Sequence, residues 1–198
     1  MLSSHSPDNS DAYLRPSFSL GNRIKRFMWS IAWMLLCRWT PNPMHHWRVF
    51  ILRLFGATIG KNNFIYPNCK IWAPWLIRTE DTVTIGPGVE IYNPGGVRLC
   101  DHCIISQDAY LCGATHDYDS PNFTYLKKEI IIGPYAWVCA KAVVLPGVHC
   151  KEGSVVGAAS VTSRSLEPWM VYAGNPAKPV KPRQNFLQPK TVQGGAGV

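Results

Sequence analysis

The segment Ile132–Ser160, IGPYAWVCAKAVVLPGVHCKEGSVVGAAS, decides the architecture. Ile132, Val138, Val144, Cys150 and Val156 recur at a step of six, and four residues after each stands a small one: Ala136, Ala142, Val148, Ser154 and Ser160. A step of six fits neither the 3.6-residue helical turn nor simple strand alternation. It predicts a parallel β-helix of hexapeptides, three to each triangular coil. The large anchor fills the prism interior and the small residue fits the crowded corner. One coil cannot bury its own interior, so coils must stack.

The same pattern runs back towards the N-terminus through Ile59, Ile65, Ile71; Ile85, Ile91; and Leu99, Ile105, Leu111. Its corner positions fall on Asn63, Cys69, Trp75, Val89, Gly95, Cys103, Ala109 and Thr115. The register slips by two near Thr82–Thr84 and again near Val97–Leu99, where bulges or short corner loops are expected. Between Leu111 and Ile132 the repeat is broken by an insertion, Asp117 to Ile131, expected to leave the prism as a loop. His116 is the last residue before it. A long loop on a rigid repeat scaffold is where function concentrates.

Outside the repeat, residues 1–20 lack periodicity and read as a flexible arm. Residues 22–38 read as a helix capped by Asn22 and stopped by Pro41 and Pro43, and residues 44–55 as a second helix ended by Gly56. Both are rich in Trp, Phe and Leu and carry only positive charge. As an ordinary amphipathic pair they would cap the prism; as a basic, aromatic pair they would lie on an anionic membrane surface. The cap is the preferred reading, with peripheral membrane contact through residues 22–55 as the alternative. The expected organisation is an arm (1–20), a helical cap (21–58), a β-helix (59–162) carrying the loop 117–131, and a basic tail (163–198).

Composition agrees. The chain has 198 residues, 46% hydrophobic and 16% charged, enough apolar content for one domain with an appendage. No apolar run reaches the ~20 residues of a membrane span, and no secretory signal is expected because the first apolar stretch begins near Phe27. Seven cysteines in a chain of this size read as reduced thiols, hence a cytoplasmic protein, at most at the inner face of the cell membrane. Cys100-Asp101-His102-Cys103 has the look of half a zinc site, but its second half is missing and Cys103 is expected to face inward. No metal is expected. The net charge is +8, and from Ala12 to Thr79 there are ten basic residues and no acidic one. A second basic cluster, Arg164, Lys178, Lys181, Arg183 and Lys190, closes the chain. Such asymmetry points to anionic partners. No helix-turn-helix or finger accompanies it, so nucleic acid is set aside.

Three stretches carry a resemblance: IISQDAYLCGATHDYDSP (Ile104–Pro121), IGPYAWV (Ile132–Val138) and GAASVTSRSLEPWMVYAGNPAK (Gly157–Lys178). From about Gly21 to Arg183 the sequence resembles the hexapeptide-repeat acyltransferases. Within them it is most similar to the colanic acid biosynthesis acetyltransferases, near the maltose and galactoside O-acetyltransferases. The resemblance implies a left-handed β-helix, an acetyl-CoA donor, a sugar-hydroxyl acceptor in cell-surface or exopolysaccharide synthesis, and a homotrimer with sites between subunits. His116 matches the family's catalytic histidine, the general base that takes the proton of a weak hydroxyl nucleophile. Asn93 is the candidate amide for the acceptor or the oxyanion. Ala140 and Ala158 match positions along the pantetheine arm, Ser163 and Arg164 a Thr-Lys pair that contacts the cofactor, and Lys178 and Lys181 two arginines that meet its phosphates. Lysine keeps the charge there and loses the bidentate fork.

Rival readings remain on the same fold. A xenobiotic O-acetyltransferase would share every donor feature. A trimeric zinc enzyme would need three converging histidines, and the prism offers only His102, His116 and His149 at uneven spacings. A non-catalytic scaffold would keep the hexads and need neither His116 nor the basic tail.

Overall fold

The computed structural model describes residues 17–187. The expected arm thus lies largely outside the described residues, as do Lys190 and the end of the basic tail. Two helices, α1 (Leu20–Leu36) and α2 (His45–Leu54), precede a parallel solenoid of short strands. Helix α1 starts earlier than expected. Ser19, not Asn22, caps it, its Oγ accepting from the Asn22 N–H at 3.3 Å.

The solenoid is the all-β parallel β-helix that the hexads predict, of the left-handed hexapeptide-repeat type. Its first face stacks Thr58–Ile59, Ile77–Thr79, Val97–Leu99, Ile130–Ile132 and His149–Cys150. The second stacks Phe64–Ile65, Thr84–Ile85, Ile104–Ile105, Trp137–Val138, Val155–Val156 and Met170–Ala173. The third stacks Lys70–Ile71, Glu90–Tyr92, Tyr110–Cys112, Val143–Val144 and Val161–Thr162. Register follows the anchors: Ile65 pairs with Ile85, Ile85 with Ile105, Ile105 with Val138 and Val138 with Val156. These anchors are buried, and an Ile or Leu so placed contributes about 1.5–3 kcal/mol. Thr79 and Thr162 also sit at inward positions, which is tolerated because the Thr162 hydroxyl donates to the Arg164 carbonyl at 2.8 Å and Thr79 Oγ1 accepts from the Gly60 N–H at 3.3 Å.

The slips are resolved differently from the expectation. Thr79 is in register with Leu99, so the first extra pair of residues lies between Ile71 and Thr79, at the 3-10 turn Pro74–Leu76. The second lies between Ile91 and Leu99. Both occupy the corner joining the third face to the first, and so does the large insertion. In consequence Trp75, Gly95 and Thr115 leave the small-corner pattern, and Val83, fully buried, enters it.

The insertion begins and ends earlier than expected and is not a plain loop. Ala114–His116 and Tyr125–Lys127 form an antiparallel hairpin, with His116 opposite Tyr125. Ile130 and Ile131 have already rejoined the first face. The tail boundary also moves. Leu166 continues the interior with a bridge to Cys150, Met170–Ala173 adds a strand to the second face, and Lys178–Pro182 returns antiparallel to it.

Corner chemistry separates two roles. At many corners the left-handed residue stands three after the anchor and is often not glycine: Asn62, His102, Asp108, Tyr135, Lys141 and Ala159 have φ between 52° and 59°. The glycine directly after an anchor serves close approach instead. A Cβ on Gly133 would lie 2.8 Å from the Cys150 carbonyl of the next coil.

The helices cover the open end of the first coil. Trp29 and Trp33 donate their indole N–H groups to the carbonyls of Ile71 (2.6 Å) and Cys69 (3.0 Å). Arg48 Nε donates to Ile65 (2.6 Å), and Arg53 donates to Ile59 (2.7 Å) and Gly60 (3.0 Å). An unpaired sheet end is thereby satisfied on all three faces. Arg48 is wholly buried, with Thr40, Pro41 and Asn42 as further acceptors. Although it counts among the ten basic residues, it does not contribute to an anion-seeking surface.

Candidate active site

His116 ends the outgoing strand of the hairpin, at the corner between the third and first faces. Its Nδ1 lies 2.8 Å from the Phe123 carbonyl. A carbonyl only accepts, so Nδ1 carries the proton and Nε2 presents its lone pair. The ring is half-buried, stacked on Phe123 (centroids 4.3 Å apart, 11°) and edge-on to Tyr125 (5.3 Å, 61°). Tyr125 is held by a 2.9 Å hydrogen bond between its hydroxyl and that of Tyr92, and burial raises the Tyr125 pKa. The tautomer and the orientation of the imidazole are thus both fixed by the hairpin. The sequence singles out His116 as a candidate but not Phe123 or Tyr125, because a fifteen-residue insertion gives no sign of which residue folds back on which.

Below the hairpin lies a cavity of about 240 Å³ lined by Cys112, Ala114, Thr115, Leu126, Lys128, Leu145, Pro146 and Ser163. Ser163 therefore shares the His116 corner, and exposed Arg164 follows it. Ala140 and Ala158 occupy another corner, between the second and third faces, where the Ala159 N–H donates to the Ala140 carbonyl at 2.9 Å. The Gly174–Ala177 turn tucks beneath this second corner through Gly174 N–H to Ser160 Oγ (2.9 Å) and Ala177 N–H to Val161 O (2.8 Å). Lys178 and Lys181 follow it on the exposed antiparallel strand. Within one chain, then, the eight predicted residues fall into a histidine corner with Asn93, Ser163 and Arg164, and a second corner with Ala140, Ala158, Lys178 and Lys181.

Asn93, however, is turned inward. It is fully buried; its Oδ1 accepts from the Ala73 N–H at 3.1 Å and its Nδ2 donates to the Ala73 carbonyl at 2.9 Å. Both ends of the amide hold the preceding corner, so the expectation that it meets an acceptor or oxyanion is corrected. The slip hid this, since the extra residues turn Asn93 into the prism.

The remaining candidates scatter. Cys103 faces the interior, and burial pushes its thiol well above the usual range. His102 stacks outward on Tyr135 (4.9 Å, 20°), and among the described residues no three His, Cys, Asp or Glu side chains converge as metal ligands. Arg183, first grouped with the basic tail, donates to the carbonyls of Tyr135 (2.8 Å) and Gly153 (3.0 Å) and is a structural clasp.

The chain is 40% identical over 166 residues to the protein named colanic acid biosynthesis acetyltransferase WcaF of Escherichia coli, covering 84% of this chain and 91% of that one. Among solved structures, a hexapeptide-repeat-containing acetyltransferase of Vibrio cholerae complexed with acetyl-CoA superposes with a TM-score of 0.75 at 20% identity, covering 86% of this chain and 93% of that one. A galactoside acetyltransferase in complex with coenzyme A gives 0.72 at 19% identity, covering 85% and 86%. At such identities the structural likeness speaks for the fold. No family model matches the chain.

Proposed function

The chain belongs to the hexapeptide-repeat acetyltransferases, in the group of the colanic acid biosynthesis acetyltransferases, and from that premise we propose that it transfers the acetyl group of acetyl-CoA to a hydroxyl of a sugar in exopolysaccharide or cell-surface glycan synthesis. The observation that carries the reading is the imidazole whose tautomer is fixed by the Phe123 carbonyl. His116 Nε2 takes the acceptor's hydroxyl proton as that oxygen bonds to the carbonyl carbon of the thioester. It returns the proton to the thiolate that leaves. Bound acetyl-CoA supplies the activated acyl group; the chain supplies position and the proton acceptor.

The donor residues fit a ligand with a long polar arm and several phosphates. Lys178 and Lys181 are exposed cations beyond the turn that abuts the Ala158 corner, and Ser163 lines the cavity beside the hairpin. Because the two groups stand at different corners of one prism, a neighbouring copy is needed to bring them together. This supports a homotrimer with each site formed between two subunits.

The test is release of CoA from acetyl-CoA by the purified protein, measured against a panel of monosaccharides, nucleotide sugars and glycan fragments, with chloramphenicol as a xenobiotic control. Release that depends on a saccharide is expected. Release that depends on chloramphenicol alone would move the protein to the xenobiotic reading, and no release with any acceptor, despite acetyl-CoA binding, would count against the reaction.

A further inference from the structure

The two helices close the prism with one face and leave the other bare. Trp39 is 80% exposed, and Phe27, Leu35 and Leu54 are 64%, 64% and 65% exposed, with Ile24 and Phe50 also open. Trp47 joins the two helices into one patch: its indole donates to the Leu36 carbonyl at 2.8 Å, and its ring lies 5.8 Å from Phe50. Covering the coil end needs only Trp29, Trp33, Arg48 and their neighbours on the inner side. The cap role therefore leaves the outer apolar residues unexplained, and a patch of this kind marks an interaction surface.

We propose that this outer face lies in the surface of an anionic lipid bilayer. Charge selects that occupant. No acidic residue occurs between Ala12 and Thr79, and Arg23, Lys25 and Arg38 are exposed on or beside α1, among the apolar side chains. A second copy docking through the same face would set these cations against themselves, whereas anionic headgroups complement them. Large aromatic and aliphatic side chains flanked by cations are the composition of a helix lying in the headgroup boundary. No helix of the described residues is long and apolar enough to cross a membrane, so the contact is peripheral. A groove of about 480 Å³ between α1 and the third face opens beside the patch, with Met34 and Trp39 on its lip. Arg38 lines it and can meet a lipid phosphate, while Lys70 is paired with Glu90 at 3.3 Å and Arg26 lies 4.5 Å over the Trp72 ring.

The experiment is flotation of the full chain with vesicles of phosphatidylglycerol and phosphatidylcholine, against pure phosphatidylcholine, at low and high salt. Binding is expected to the anionic vesicles and to weaken with salt. Arg23→Ala with Arg38→Ala should weaken it about thirtyfold, taking roughly 1 kcal/mol per cation near the surface. Phe27→Asp with Phe50→Asp should abolish it, with the circular dichroism and the sedimentation of the free protein unchanged. Equal binding by these variants, or no binding of the wild type to anionic vesicles, would overturn the proposal. So would a change of assembly mass in the Phe variants without lipid, which would make the face a contact between copies. The readout needs no turnover, so its failure would leave the acetyl-transfer reading intact.

Discussion

Asn93 and His116 stand close in the repeat and carry opposite duties. Asn93 closes a two-bond pairing with Ala73 in the interior, while His116 is oriented by a backbone carbonyl and leaves one nitrogen open. Asn93→Ala would orphan both Ala73 groups and should lower unfolding stability by roughly 2 kcal/mol, while changing the turnover number only a few-fold. Denaturant unfolding and steady-state kinetics on the same preparation separate the two effects; a hundredfold loss of turnover at unchanged stability would return Asn93 to the chemistry. The sequence made His116 legible because it abuts the one long break in the repeat. It could not show the duty of Asn93, since that depends on which side of a two-residue slip the chain turns inward.

At the scale of elements, the hexads made the coils legible, including the inward cysteines, because a period of six has one geometric solution. The corner that takes every extra residue was not legible. Spacing counts the surplus between Ile71 and Ile85 without locating it, and the 3-10 turn at Pro74–Leu76 fixes the place. The hairpin was hidden likewise. Its return strand passes so close to the preceding coil that a Cβ on Gly95 would lie 2.6 Å from the Lys128 backbone. The cap helices were readable as elements, yet Arg48 read as a surface cation, because its acceptors come from Ile65 and from the interhelical turn. Burial pulls its pKa down, and hydrogen bonds to these acceptors help offset the desolvation. Arg48→Met should therefore destabilise the protein by about 3 kcal/mol, through carbonyls left without donors. The loss should appear in thermal unfolding and in faster hydrogen exchange of α2. A variant as stable as the wild type would mean the guanidinium merely fills space.

For the whole molecule, the prism separates the histidine corner from the corner of Ala140, Ala158 and the two lysines, and in the proposed trimer a neighbouring copy would reunite them. Lys178→Ala with Lys181→Ala should raise KM for acetyl-CoA and leave KM for the acceptor nearly unchanged, because contacts to distant phosphates add uniform binding. Equal shifts for both substrates would assign the exposed strand another task. The central claim is that an acetyl-CoA-dependent transfer runs through His116, and the turnover number of His116→Ala in the assembled protein tests it most directly. A loss of about 10²–10⁴-fold is predicted, the usual contribution of a positioned base, with sedimentation, melting temperature and acetyl-CoA affinity preserved. Near-normal turnover in His116→Ala would contradict the account, and so would a variant that loses activity only because it unfolds.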